Sequence, residues 1–599
     1  MNPLDQKSPY GGRLIEEVVH GATSGNLNPE NNVDVNEGAD RSMYVYVPAS
    51  GCPHAKQTAV LMVLRDSDTR GSAEKLMGDL GLADLAEREH FVLLFPNPQG
   101  DGWNYERDHC RDDDMQFLVR CFAVLKGSRG GVAGFNGMMY YIAASQAASA
   151  MLWVLSRERP LDTAAIMIGA FPREFVLSEG SGAEQVAWFY EDNSEASEAL
   201  ARVNGSSEFQ ALTGEKGISV AISEANPAVR YFESANGLCA AEVARAWDSM
   251  FARVRRWRND TLGTYQERPD FEGRGFVAHV DDASLGLKDG LGRTWFEYVP
   301  EPLRTASNPM PLVLYFHGIN CCGLYGAEQS GWADIADRDG FACVFPNATT
   351  EERWNAWGDS RIPSDIDYVM ALIDHMCEIY PIDRSRIYIS GFSMGSMFSN
   401  ALACSYPEVF AGVVALNGPN LAYLQTLDEA KPGMLAFRPN SALREIPNQD
   451  EEKSPTRLLA DSKKGTYDWR MPFVQFVGLL DGVGFESGKA WPVLCETDSQ
   501  WVPTVAYWKK YDGIANSSLF DPSTPTGFAS DRVEEIGRFV HQSWRGVGDE
   551  VPPIDSNALY HLIAARRMPH AVDLREVAMG WNIVKHYRRE PDGSLAYAK

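Results

Sequence analysis

The sequence predicts an α/β protein made of two successive domains, each a mostly parallel, doubly wound sheet. Three observations predict it. Short β-branched and aromatic runs alternate with stretches of helical periodicity, the order that crossovers between parallel strands produce. That order is run through twice, with matching residues at matching places. The second run also holds a G-x-S-x-G pentapeptide, Gly391 to Gly395, between a strand-like run and a helical one. A nucleophile elbow needs that context.

Taken in order, Met43 to Val47 and Ala59 to Leu64 read as strands, the first ending at Pro48. The helical pattern LGLADLAERE leads into a buried strand, FVLLFPN, that ends at Asn97. A tryptophan loop, GWNYERD, precedes a helix from about Asp114 to Leu125. The strand Met139 to Ile142 and a small-residue helix, AASQAASAMLWVL, follow. Then the series returns. Tyr298-Val299-Pro300 echoes Tyr46-Val47-Pro48, and LVLYFHG echoes the run at Val60. GWADIADRDGFACVFPN echoes GLADLAEREHFVLLFPN nearly residue for residue. RWNAWGD echoes GWNYERD, SDIDYVMALID echoes DDMQFLVRCFA, and RIYISGFSMGS echoes MYYIAASQAAS. Near the ends, EVAMGWNIVKHYRRE echoes EVARAWDSMFARVRRW. A repeat of this length is a duplicated domain, not a solenoid. The boundary falls between Tyr265 and Gly275, giving domains 1–268 and 269–599 expected to pack on one another. The second is longer, with insertions near 421–470 and 490–555, positions that commonly shape a pocket.

A formal net charge of -26 over 599 residues disfavours nucleic acid and anionic membranes as partners. No apolar run approaches the length of a membrane span. The ten cysteines form no C-x-x-C pair, so neither a zinc site nor a dithiol redox site is expected. The acidic cluster Asp108 to Asp114 has no metal-ligand spacing and reads as a solvated helix start. With no apolar signal region in MNPLDQKSPYGGR, a cytoplasmic protein is expected.

Serine acyl transfer needs a base for the hydroxyl, an acid to orient that base, and two N–H groups for the oxyanion. Ser393 is the candidate nucleophile, with Gly391 and Gly395 permitting the sharp turn. His317-Gly318 follows the strand Leu312 to Phe316, where α/β-hydrolases supply one oxyanion donor. That donor is assigned to Ile319, with Asn320 as the alternative, and the other to Met394. His317 itself reads as a turn residue. The acid candidate is Asp481, just past the apolar run Phe473 to Leu480, with Glu486 as fallback. The base must follow the acid in this fold's order. His541, His561, His570 and His586 are available. His541 lies in a strand-like run and His586 inside the last helix. His570 lies in a loop between the last strand, Leu559 to Ala564, and that helix, and is favoured.

The second copy resembles the polyhydroxybutyrate depolymerase and feruloyl esterase group of α/β-hydrolases. The resemblance is carried by Phe316 to Gly318, the VFPN strand, Trp354 to Trp357, DIDYVMALID, YPIDRSRIYISGFSMGS and Ala411 to Gly418. It implies two tandem α/β-hydrolase-like domains, the second an ester hydrolase with Ser393, Asp481 and His570 as its triad and no cofactor. Its partner is then a small or oligomeric ester. A peptidase or amidase with the same triad and a non-catalytic scaffold are the competing readings.

The first copy departs from this chemistry. Matching the letters sets Gln146 opposite Ser393, Ala144 and Ala148 opposite Gly391 and Gly395, and Arg65-Asp66 opposite His317-Gly318. Asn226-Pro227 is set opposite Asp481-Gly482, and no histidine occurs between His109 and His279. A catalytically inactive domain is expected.

Overall fold

Strands buried at every position lie at the centre of both halves of the chain, as parallel strands covered on both faces must be. The computed structural model describes residues 11–21, 40–99, 102–106, 114–127, 136–158, 163–168, 186–190, 194–260, 263–350, 353–355, 362–419, 470–481, 501–512, 514, 519–545 and 558–597. The chain divides into two units. One is Asn2–Arg258 with Leu262–Pro269; the other is Asp270–Lys599 with Asn259–Thr261.

The first unit holds β1 (Leu14–Val19), β2 (Arg41–Tyr46), β3 (Val60–Leu64), β4 (Val92–Pro96), β5 (Met139–Ala143), β6 (Ala164–Met167), β7 (Val186–Tyr190), β8 (Gln210–Ala211), β9 (Ile218–Ile222) and β10 (Arg230–Ser234). They form one sheet in the order β1-β2-β4-β3-β5-β6-β7-β10-β9-β8. The centre, from β4 to β10, is parallel, and both margins are antiparallel. Its helices are α1 (Arg70–Asp79), α2 (Leu82–Glu89), α3 (Asp114–Gly127), α4 (Gln146–Glu158), α5 (Ser194–Val203) and α6 (Ala240–Ser249). A separate hairpin, β11 (Val254–Trp257) and β12 (Thr264–Glu267), closes the unit.

The second unit holds β13 (Val277–Asp282), β14 (Arg293–Tyr298), β15 (Met310–Phe316), β16 (Ala342–Pro346), β17 (Ile382–Phe392), β18 (Gly412–Leu416), β19 (Phe473–Gly478), β20 (Arg532–Ile536), β21 (Phe539–Arg545) and β22 (Ala558–Ala565). Their order is β13-β14-β16-β15-β17-β18-β19-β22-β21-β20, strand for strand that of the first sheet. Its helices are α7 (Gly323–Ser330), α8 (Trp332–Asp339), α9 (Asp365–Ile379), α10 (Met394–Ser405), α11 (Trp501–Tyr511) and α12 (Leu574–Val584). Alternate strand residues serve two helical layers. Leu312, Leu314 and Phe316 share a core with Phe398 and Trp508 of α10 and α11. Tyr315 instead packs on Gly326 of α7, and Tyr388 on Trp581 of α12. Among the described residues no helix is long and apolar enough to cross a membrane.

Three expectations are corrected here. The stretch 490–555, read as an insertion, contains α11 and the edge strands β20 and β21, which have counterparts in the first sheet. The run around His541 does form a strand, β21, as expected, but an edge strand of mixed polarity such as RVEEI carries no strong strand signal, so the stretch as a whole reads as added sequence. His586 lies past the end of α12, in the turn before the short strand Tyr587–Arg589. Asn226 lies between β9 and β10, whereas the strand in the place of β19 is β7. Asn226-Pro227 is therefore not the counterpart of Asp481-Gly482. The insertion near 421–470 lies outside the described residues apart from Arg470.

His541 and His561 are paired within this sheet. His561 Nε2 donates to the Ala558 carbonyl at 2.8 Å, which leaves its Nδ1 to accept from His541 Nε2 at 2.8 Å. Burial, with His541 beside it, pushes the His561 pKa down from 6.5 to about 3. A folded-state pKa below the unfolded one gives stability that is complete above pH 6.5 and lost as pH falls toward 3. His561→Gln should therefore flatten the loss of stability between those limits by about 2 to 4 kcal/mol. Denaturant unfolding at stepped pH checks this; parallel wild-type and variant curves would refute it.

Candidate active site

β17 passes into α10 through the single residue Ser393, whose backbone sits at φ 55° and ψ -119°. Holding a non-glycine residue there costs about 1 to 3 kcal/mol. The surroundings impose it. A Cβ on Gly391 would lie 2.3 Å from the Gly395 carbonyl oxygen, and one on Gly395 only 2.0 Å from that of Phe316. Backbones thus meet directly, and the Ser393 N–H is fixed to the Leu416 carbonyl at 2.9 Å.

Asp481 follows β19 in a tight turn, its N–H donating to the Gly478 carbonyl at 3.1 Å, and is only 1% exposed. His570 lies in the loop from β22 to α12. Its Nδ1 is 2.7 Å from Asp481 Oδ2, and its Nε2 is 2.8 Å from Ser393 Oγ. Asp481 is an acceptor when ionised, so Nδ1 carries the proton and Nε2 is left to accept from the serine hydroxyl. The imidazole also packs against Phe392, with ring centroids 4.7 Å apart. The structure thus brings Ser393, Asp481 and His570 into one hydrogen-bonded chain.

His317 is buried and braces a turn. Its Nε2 accepts the Ala348 N–H at 3.0 Å, so its Nδ1–H donates to the Gly318 carbonyl at 2.7 Å. Its own carbonyl accepts Trp354 Nε1–H at 2.8 Å. A Cβ on Gly318 would lie 3.3 Å from that of Ser393, so the turn leading to Ile319 lies against the serine. Met394 opens α10, and its N–H is one of the four that a helix leaves without an internal acceptor. Positive charge density at this helix end favours an anion there.

Of the other histidines, His541 and His561 bond each other in β21 and β22, and the His586 ring packs on Tyr597. Glu486 lies outside the described residues. Asp365, which the sequence reading passed over, anchors the loop carrying Trp354. It accepts from Thr349 N at 3.2 Å, Thr349 Oγ at 2.6 Å and Asn355 N at 2.7 Å. Burial, opposed by these bonds, pushes its pKa up to about 6. A signal was present: an acid recurs at the start of the matching helix, where Asp114 takes the Asn104 N–H at 2.6 Å. Among the described residues no group of three or more His, Cys, Asp or Glu could hold a metal.

The corresponding place in the first unit corrects the letter-by-letter match. Leu312 lies opposite Ile387 and Phe316 opposite Gly391, whereas Val60 lies opposite Met139 and Leu64 opposite Ala143. Ala143 therefore occupies the rung of Gly391, and Ser145, not Gln146, stands where Ser393 does. Two further facts agree. Tyr140 and Tyr388 share a rung, and both hydroxyls bond a carbonyl past the last helix, at 2.8 Å to Val254 and 2.7 Å to Tyr587. The helices begin at Gln146 and Met394. Ser145 is not among the described non-glycine residues with positive φ. Its Oγ accepts the Ala148 N–H at 3.0 Å and donates to Asp66 at 2.6 Å. Asn236, four residues before α6, stands where His570 stands before α12; its Nδ2 donates to Glu242 at 3.1 Å.

Gly395→Ala should lower stability by at least about 2 kcal/mol, because the new methyl group meets backbone that cannot yield. Gly78→Ala in α1, where a Cβ finds open space, should instead add up to about 1 kcal/mol. Thermal unfolding of the two variants checks the contrast, and equal effects would refute it.

Comparison with known proteins bears on residues 296–424, which match the family described as Esterase PHB depolymerase. The bifunctional acetylxylan esterase/xylanase XynS20E of Neocallimastix patriciarum is 34% identical over 134 residues, 22% of this chain and 19% of that protein. Feruloyl esterase B of Neurospora crassa is 29% identical over 200 residues, 31% of this chain and 63% of that protein. Poly(3-hydroxyalkanoate) depolymerase C of Paucimonas lemoignei is 30% identical over 131 residues, 20% of this chain and 30% of that protein. The chain thus spans less than two thirds of the length of each. Among solved structures, acetyl xylan esterase from Aspergillus awamori aligns at a TM-score of 0.36 and 16% identity, over 52% of this chain and 99% of that one. Over residues 296–424, then, the chain is similar to the polyhydroxybutyrate depolymerase family of esterases, with relatives among feruloyl and acetylxylan esterases.

Proposed function

We propose that residues 269–599 form an α/β-hydrolase-like domain that cleaves carboxylic esters through an acyl-enzyme on Ser393, and that residues 1–268 form an inactive copy of it. The observation that carries the reading is the continuous bond chain from Ser393 Oγ through His570 to Asp481. The relatives' names support the substrate class, since feruloyl esterase, acetylxylan esterase and poly(3-hydroxyalkanoate) depolymerase all denote ester cleavage.

His570 Nε2 takes the Ser393 proton as Oγ bonds to the ester carbonyl carbon. The carbonyl oxygen becomes an oxyanion held by the N–H groups of Ile319 and Met394. Asp481 stabilises the imidazolium, which then gives its proton to the departing alcohol. Water attacks the acyl-enzyme with His570 again as base, and the acid leaves with Ser393 restored. No cofactor enters this scheme.

The inactive reading of residues 1–268 rests on three differences. Ser145 is bonded to a carboxylate rather than to an imidazole. Asp66 follows directly on Arg65 where Gly318 follows His317, so a negative charge stands where an oxyanion would be held. Asn236 replaces the base. Arg65 is buried and donates to the Pro96 carbonyl at 3.0 Å and to Asn97 at 2.6 Å, making that turn a packed junction.

A fluorophosphonate probe should label the wild-type chain once, at Ser393. Ser393→Ala should lose labelling and lower kcat on p-nitrophenyl esters at least about 10⁴-fold. Unlabelled wild type, or labelling that survives the substitution, would refute the assignment. A panel of acetyl, feruloyl and hydroxybutyrate esters against amino-acyl anilides tests the ester reading, and faster turnover of the anilides would favour an amidase.

A further inference from the structure

Asn417 and Gly418 close β18 and take no part in the bond-making just described. Asn417 is 2% exposed and has a φ of 51°. Asparagine tolerates this left-handed region better than most residues, and here the conformation serves three contacts. The backbone N–H donates to the Phe476 carbonyl at 3.0 Å. Side-chain Oδ1 accepts the Gly478 N–H at 2.5 Å, and Nδ2 donates to the Ala571 carbonyl at 2.6 Å.

Both side-chain contacts end on residues joined to a triad member. Gly478 is the acceptor of the Asp481 N–H, at 3.1 Å, and Ala571 follows His570 in the chain. Leu416, just before Asn417, accepts the Ser393 N–H at 2.9 Å. Gly418, just after it, accepts from Ser396 Oγ at 2.8 Å, and a Cβ there would lie 2.2 Å from the Ser393 carbonyl oxygen. A Cβ on Gly478 would lie 2.5 Å from the Met568 carbonyl oxygen and 2.7 Å from that of Pro569. Acid loop and base loop therefore touch backbone to backbone, and the Asn417 amide bridges them.

We infer that Asn417 is a positioning residue which fixes the separation of the acid and base loops, and with it the His570–Asp481 bond. It touches no reacting atom. The inference rests on the triad reading above, because it gives that amide its purpose. A side chain kept only for stability would change the folded fraction and leave the reaction of each folded molecule as it was.

Two variants of the full chain test it. Asn417→Asp keeps size and the acceptor for Gly478, and replaces the donor facing the Ala571 carbonyl by oxygen. Asn417→Gly relieves the backbone and removes both side-chain bonds. Circular dichroism gives the folded fraction, hydrolysis of p-nitrophenyl acetate gives kcat and KM, and proton NMR reads the downfield Nδ1–H of His570, assigned by its loss in His570→Ala. Both variants should lose about tenfold or more in kcat per folded molecule, with KM changed less than about threefold, and should shift or broaden that resonance. Wild-type kcat, or a lowered kcat with an unmoved resonance, overturns the inference. If the glycine variant does not fold, the isosteric aspartate decides. If wild type hydrolyses no ester, the functional reading fails, and the resonance alone decides for or against Asn417.

Discussion

Two missing methyl groups fix the geometry on which the site depends. The elbow folds so tightly on the start of α10 and on the end of β15 that Gly391 has no room for a Cβ against the Gly395 backbone, nor Gly395 against that of Phe316. These contacts let Ser393 hold a left-handed backbone and place its hydroxyl beside His570. The strain is offset by the packing of α10, whose Phe398 stacks on Trp354 at 4.8 Å between centroids and meets Phe316 at 4.9 Å. The first unit makes the comparison for us. In the corresponding places it has Ala143, on the rung of Gly391, and Ala147, in α4, and its serine caps the helix instead. With methyl groups in place the turn relaxes, and the same residue type does a different job.

Topology explains why partners so far apart in sequence meet. Asp481 and His570 are 89 positions apart, yet they leave the same ends of two paired parallel strands, β19 and β22. The intervening chain runs out to the sheet margin as β20 and β21 and returns. The two loops therefore emerge one strand spacing from each other, and two and three spacings from the elbow. At such range a small error in one loop breaks a hydrogen bond, so the loops need a tie that the strands do not supply. The amide of Asn417 stands at that junction.

The parts of the site legible in the sequence are those whose chemistry demands a rare local pattern. Ser393 stood out through its flanking glycines, Asp481 through its place after an apolar run, and His570 through its place in a loop behind the last strand. Register was illegible. β3 and β5 are buried on both faces, so sliding one copy of the sequence past the other by a residue still matches apolar with apolar. That is how Gln146 came to stand for Ser145. Asn417 was hidden for a different reason: it sat inside a run that resembles a family, and its partners are backbone groups, which leave no letters to match. Asp365 could have been found, because an acid recurs at both copies of its helix, but a charge at a helix start has an ordinary explanation in the dipole.

The two sheets share one strand order although the turns at their C-terminal ends differ in chemistry. Burial accounts for this separation of fold from site. Rungs such as Val60–Leu64 and Met310–Phe316 are apolar throughout, and substitutions among apolar residues of similar size cost little. The turns are held to atoms instead. Asp66 stands in place of Gly318 and accepts from Ser145, and Arg65 in place of His317 fills the turn with hydrogen bonds to Pro96 and Asn97. Neither change disturbs a strand pair, so the turn can be rebuilt while the sheet stays intact.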